Sequence, residues 1–284
     1  LELVKIIPNS EPQAYVLGKT GYFLLNDELT QANMNFINDV CYQGFFYLQD
    51  SLKTGKPAGL KVFGDWDTIY QGLSALPEQV QKSWFAFDHY YSDSIFGAAL
   101  PIVFKENPRH IMDIGSNTGK LTKAALSYNN EVFVTMVDLA PQIAMAQNNP
   151  ELEAFKNRIE SYPTNILNHD EQLPSNVDTV WMSQFLDCFS LEEIQNILKK
   201  IKRCVPSDCN IFVLEPLWDM QRFEAASYSI QATSIYFAAM ANGNSKMYSY
   251  SDLVGAIEAV GCTLVRAHHN LGINSYSLLQ FHVS

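Results

Sequence analysis

The segment His110-Ile111-Met112-Asp113-Ile114-Gly115-Ser116-Asn117-Thr118-Gly119-Lys120 passes from strand to glycine loop to helix within eleven residues. His110–Ile114 is a short apolar run, and a helical period follows from Thr118 to Tyr128. Glycines at the carboxyl end of a first strand let the backbone approach a ligand closely, at the switch point of a doubly wound sheet. The spacing is G-x-x-x-G with Asn117 in the middle, not the G-x-G-x-x-G of a dinucleotide site, which weakens a pyrophosphate reading. A ligand-free tight turn is the other possibility. The next strand, Val132–Asp138, ends in Asp138, 25 residues beyond Asp113. A carboxylate there can accept hydrogen bonds from two ribose hydroxyls, or it can cap the helix that starts at Pro141.

The same rhythm continues to the end of the chain. Further strands are expected at Arg158–Tyr162, Val177–Ser183, Asn210–Glu215, Cys262–His268 and Ser275–Val283. Helices are expected at Pro141–Asn148, Leu191–Val205, Gln221–Met240 and Ser251–Val260. Such alternation predicts an α/β fold with a mainly parallel seven-stranded sheet. The last two strands are joined only by Asn270–Asn274, which fits a hairpin and one antiparallel strand. Before residue 105 the pattern is helical. Tyr15–Leu25, with Gly18 and Gly21, reads as a hairpin. Gln31–Leu52 and Pro77–Phe104 read as amphipathic helices, the second carrying a dense aromatic face that something must cover. The expected division is a helical region over 1–104 and the α/β domain over 105–284.

The 284 residues carry 47% hydrophobic side chains and a net charge of −11, so a folded core is available and nucleic acid is not the expected partner. No apolar run reaches the roughly 18–20 residues that a membrane span needs, and no secretory leader is seen, although a start at Leu1 leads us to expect missing upstream sequence. Five scattered cysteines point to free thiols in a reducing, cytoplasmic setting, and their spacing gives no metal pattern.

Several blocks resemble the class I S-adenosylmethionine-dependent methyltransferases, in particular the small-molecule O-methyltransferases that include caffeate, hydroxyindole and polyketide-tailoring enzymes. Tyr15–Leu25 (YVLGKTGYFLL) resembles the wing of that family's N-terminal winged-helix domain, and Ser51–Gly64 (SLKTGKPAGLKVFG) the stretch after its dimerisation helices. Asp113–Gly119 resembles the glycine-rich cofactor loop, and Val137-Asp138-Leu139 the ribose site. Thr164-Asn165-Ile166-Leu167 falls where the family places residues beside the adenine, and Leu214-Glu215-Pro216 matches the acidic end of the fifth strand. The resemblance implies S-adenosyl-L-methionine as cofactor. It places Asp113, Gly115, Asn117, Gly119, Asp138, Leu139, Asn165, Ile166 and Ser183 against it. It also implies a small-molecule acceptor, no metal and a homodimer.

At the family's active-site segment this chain departs from the pattern. Phe185-Leu186-Asp187-Cys188-Phe189 puts Asp187 where the family has its catalytic His, and Tyr250 where a His-orienting glutamate would fall. Asp187 is therefore the expected proton acceptor with Glu215 as its orienting partner, burial beside Glu215 raising its basicity. Alternatively, Asp187 caps the helix that begins near Ser190. His89, His110, His169, His268, His269 and His282 all read as structural. Phe223, Tyr228, Ile230, Tyr236, Phe237, Met240 and Met247 are candidates for the acceptor pocket. Two other readings stay open: a family member that binds the cofactor without O-methylating, including N- or C-methylation, and a nicotinamide oxidoreductase on a similar sheet.

Overall fold

The protein is described here from a computed structural model, which covers residues 2–168 and 170–283, the side chain of Asp93 excepted. The chain begins with an antiparallel ribbon of β1 (Val4–Ile6) and β2 (Tyr15–Leu17). Helices α1 (Lys19–Asn26) and α2 (Glu28–Asn35) follow, the second capped by Asp27, whose side chain accepts from the Thr30 N–H at 2.8 Å. The expected hairpin over Tyr15–Leu25 is thus corrected to a strand and a helix. Gly18 and Gly21 do not turn the chain there. A Cβ on them would lie 1.9 Å from the Glu2 carbonyl and 2.2 Å from the Leu3 carbonyl, so their role is close packing of the start of α1 against the chain just before β1.

The expected helix over Gln31–Leu52 is interrupted. After α2 come a π turn (Phe36–Cys41), a 3-10 turn (Gly44–Tyr47) and α3 (Leu48–Thr54). The break lies at Gly44, where a Cβ would meet the Met240 sulfur at 1.8 Å and the Gly59 carbonyl at 3.2 Å. Close tertiary packing outweighs helical periodicity there. A short α4 (Ile69–Gly72) leads to the long α5 (Glu78–Val103).

The remainder alternates as the sequence predicts: β3 (His110–Ile114), α6 (Lys120–Tyr128), β4 (Phe133–Asp138), α7 (Ala140–Gln147), β5 (Ile159–Pro163), β6 (Thr179–Ser183), α8 (Leu191–Cys204), β7 (Asn210–Glu215), α9 (Glu224–Tyr236), α10 (Tyr250–Glu258), β8 (Cys262–Leu271) and β9 (Tyr276–Val283). The sheet order is β5-β4-β3-β6-β7-β9-β8, with β9 antiparallel to both neighbours. Order reverses between β4 and β6 on either side of β3, so the loop after β3 opens at the switch point.

Strand alternation feeds two cores. Ile111 and Trp181 face one side with Phe96 and Leu100 of α5, while Met112, Val180 and Met182 face the other with Ile194 and Ile201 of α8. A third core joins Phe36, Leu60 and Ile69 to Tyr236 and Met240 at the end of α9, and Trp84 of α5 belongs to it. Helix α5 therefore packs on the sheet at one end and on the N-terminal helices at the other. Where these cores meet, the carboxyl ends of β3, β4 and β6 are covered.

Candidate active site

A cavity of about 490 Å³ occupies that junction. The glycine loop forms its floor. Gly115 and Gly119 have φ of +81° and +80°, a region that costs other residues roughly 1–2 kcal/mol, and a Cβ on Gly115 would lie 2.3 Å from the Phe185 ring. The N–H of Gly115 donates to the Val137 carbonyl at 2.9 Å, and that of Asn117 to Oδ2 of Asp138 at 2.8 Å. The other oxygen of Asp138 accepts from the Leu139 N–H at 2.7 Å. Asp138 does not cap α7, whose N-cap is Leu139 with no side-chain bond.

Eight of the nine residues that the resemblance assigns to the cofactor line this cavity; Gly119 does not, and instead packs the loop against Leu152, which a Cβ there would meet at 2.6 Å. Side-chain atoms of Ser116, Asn117, Thr118 and Ser183 are buried there without hydrogen-bond partners. Buried polar atoms of this kind are costly unless a ligand or water satisfies them. Burial pushes Asp138 up to about 6 against the opposing N–H groups of Asn117 and Leu139. Asp113 is pushed up to about 7, first by burial and then by the charge of Asp138, while the Thr122 hydroxyl that donates to it at 2.6 Å opposes the rise. A pocket offering a carboxylate for two hydroxyls and several orphaned hydroxyls and amides fits a nucleoside with a polar tail.

Asp187 lines the same cavity, 7% exposed, on the short 3-10 turn Leu186–Cys188. It does not cap α8. Ser190 does so, in a capping box with Glu193. Glu215, only 2% exposed, is not on the cavity wall; its Oε1 accepts from the N–H groups of Phe185 and Leu186 at 3.0 and 2.8 Å and thereby holds the turn that carries Asp187. Burial raises both carboxyls, and the charge of Asp187 raises Glu215 further.

Three of the seven acceptor-pocket candidates, Tyr236, Phe237 and Met247, line the cavity. Phe223, just before α9, and Tyr228 on it do not: they are 73% and 75% exposed. Ile230 is also off the wall, and Met240 is core. Residues that the sequence did not single out complete the wall. Asp88 accepts from Asn117 Nδ2 at 3.0 Å, and Gln142 donates to the Tyr70 carbonyl at 2.8 Å. His89, read as structural, lines the cavity beside them with its ring stacked on Phe85. A charged pair inside an aromatic helix was the available signal for Asp88 and His89; nothing local marked Tyr70 or Gln142. His110, His269 and His282 bond to Thr135, Ser277 and Asn210 away from the cavity, His268 on β8 is also off its wall, and His169 lies outside the described residues. Among the described residues no group of three His, Cys, Asp or Glu could hold a metal ion, and no helix is long and apolar enough to cross a membrane.

A glycine loop after the first strand, an acidic end to the second and an antiparallel last strand define a class I methyltransferase fold. A family model described as an O-methyltransferase domain matches residues 46–257, and the chain belongs to that family of S-adenosylmethionine-dependent enzymes. Among curated proteins, an L-tyrosine C(3)-methyltransferase from Streptomyces lavendulae is 20% identical over 230 residues, covering 80% of this chain and 61% of that protein. The chain thus spans less than two thirds of this relative's length. Among solved structures, the mitomycin 7-O-methyltransferase MmcR superposes with a TM-score of 0.77 at 16% identity, over 98% of this chain and 79% of that one. The O-methyltransferase NcsB1 from neocarzinostatin biosynthesis, solved with S-adenosyl-L-homocysteine and 1,4-dihydroxy-2-naphthoic acid, gives 0.75 at 16% identity, over 98% and 80%. At such identity these structures bear on the fold alone.

Proposed function

We propose that the chain methylates a hydroxyl oxygen of a small aromatic molecule, with S-adenosyl-L-methionine held at the glycine-loop end and the acceptor at the Asp187 end. When bound, the cofactor supplies an electrophilic methyl group on a sulfonium. One observation carries the assignment: the unpartnered buried atoms of Ser116, Asn117, Thr118 and Ser183 converge on the same cavity as Asp138. Asp138 would hold the ribose hydroxyls, Asn165 and Ile166 would flank the adenine, and Asp113, Gly115, Gly119 and Leu139 would shape the bed beneath. Phe36, Trp84, Phe87 and Phe189 offer flat apolar walls for a ring.

Asp187 accepts the acceptor's proton in this scheme, and Glu215 is a positioning residue that fixes the turn beneath it. Alignment of acceptor and methyl supplies most of the acceleration, up to roughly 7–11 kcal/mol in well-oriented systems, so a carboxylate can serve where imidazole is usual. Lys120 is the only lysine or arginine on the described cavity wall, which favours acceptors without a carboxylate. Residues 1–104 act as a winged-helix-type dimerisation region and 105–284 as the catalytic domain of a cytoplasmic homodimer. A second reading follows from the tyrosine C(3)-methyltransferase relative: a deprotonated phenol is nucleophilic at its ortho carbon as well as its oxygen. Incubation of the protein and methyl-labelled cofactor with a set of phenols tests both. Label on oxygen supports the first reading, label on ring carbon the second, and no transfer to any phenol removes both.

A further inference from the structure

Asp187 is not alone at the cavity wall. The Cys188 thiol donates to its Oδ1 at 3.4 Å, and the Tyr70 side chain lies beside the same sulfur. Both residues are themselves anchored. Gln142 Nε2 donates to the Tyr70 carbonyl at 2.8 Å, and Asn242 Nδ2 donates to the Cys188 carbonyl. The chain of contacts runs from α4 in the N-terminal region to the turn after β6, and Tyr70 and Cys188 both line the cavity. Burial, followed by the charge of Asp187, holds the thiol far above its ordinary pKa, so it is neither a nucleophile nor a metal ligand. What remains to it is donation.

We propose that Cys188, aligned by Tyr70, is a positioning residue for Asp187, its thiol fixing the carboxylate and favouring the ionised form that takes the acceptor's proton. The inference rests on Asp187 as the proton acceptor. The titratable groups that face Asp187 are Cys188 itself, Glu215 on β7, Tyr70, Tyr248 and Tyr276 on β9. All five are acids, so none of them offers a cation to the carboxylate. The thiol, which donates to Oδ1, therefore carries the stabilisation. A thiol is a weak donor, but a low dielectric strengthens it.

Infrared difference titration of the full chain with S-adenosylhomocysteine bound tests this without an acceptor, the Asp187 band being the one lost in Asp187→Asn. Cys188→Ala should raise its midpoint by about half a unit to one unit, the size of one lost hydrogen bond. Tyr70→Phe should raise it less, and Cys188→Ser should restore it. A midpoint unmoved in Cys188→Ala, or moved equally in Cys188→Ser, overturns the proposal. Should Cys188→Ala fail to fold, Tyr70→Phe reads the same midpoint, and no rise there overturns it too. Failure of the proton-acceptor reading is a separate result: full turnover in Asp187→Asn, whatever the titrations show.

Discussion

The main-chain N–H of Asn117 donates to Oδ2 of Asp138 at 2.8 Å, joining the glycine loop after β3 to the carboxylate that ends β4. Asn117 has φ of +46°, and its own Nδ2 reaches Asp88 on α5 at 3.0 Å. Three elements from different parts of the chain are thereby fixed around one point. The loop's shape thus depends on the carboxylate as well as on its glycines.

Cofactor affinity should depend on Asp138. Replacing it with Ala removes charge-assisted hydrogen bonds worth roughly 2–4 kcal/mol, a thirty- to thousandfold loss. Calorimetry with S-adenosylhomocysteine measures it, and an unchanged Kd refutes the ribose assignment. Wild-type affinity should also fall as pH drops through about 6, where Asp138 takes up a proton and loses acceptor capacity.

The cofactor-free protein should be more stable in mild acid than in mild base. Asp113 titrates near 7 when folded against an ordinary value of 3.8, so the folded chain binds its proton more tightly than the unfolded chain does. That contribution is complete below about pH 4 and is lost as pH rises through 7, a difference of about 4 kcal/mol. Asp113→Asn keeps the shape without the charge. Its Tm should fall less steeply between pH 5 and about pH 8 than that of the parent; parallel curves would count against a buried, protonated Asp113.

Association should run through the N-terminal region. Ile6, Tyr15, Tyr22 and Leu25 are each more than half exposed, and Phe46 is 77% exposed. Phe36, Phe45 and Leu48 are not available to such a contact, since Phe36 is buried and the other two pack on the same internal core. Sedimentation at micromolar concentration should give a dimer, and Phe46→Glu should shift it toward monomer. A monomer throughout, with any upstream residues present, refutes the dimer.

How much was legible follows the range of the interactions. β3 and β7 begin and end where the sequence places them, because strand alternation and flanking turn residues are local signals. Asp113, Asp138 and the two loop glycines were legible for the same reason. Gly18 and Gly21 misled, because a glycine used for close approach reads locally like one used for a turn; the break at Gly44 was missed because a lone glycine does not end a helical period. Tyr70 and Gln142 reach the cavity only through contacts more than 70 residues apart in sequence, as their mutual bond shows. No periodicity records such a contact. The role of Glu215 was legible as proximity to Asp187 but not as a clamp on the N–H groups of Phe185 and Leu186, which depends on side-chain direction.

Substitution at Asp187 separates base chemistry from alignment. Asn preserves size and hydrogen bonding but cannot take a proton at neutral pH. General-base assistance is typically worth roughly 10²–10⁴-fold, so Asp187→Asn should lower kcat by about that factor with the Kd for S-adenosylhomocysteine unchanged. A helix-capping explanation of any loss is closed, since Ser190 and Glu193 cap α8. Asp187→His should retain part of the activity, imidazole being the group that the family resemblance places there. The pH profile gives an independent check. Burial raises Asp187, so the rate should climb with pH through a value above the ordinary carboxylate range, and Asp187→Asn should remove that limb. Glu215→Gln should act differently: its amide oxygen can still accept from Phe185 and Leu186, so both the limb and the activity should persist. If Asp187→Asn turns over an accepted phenol at the parental rate, alignment alone drives the transfer and Asp187 is not its base.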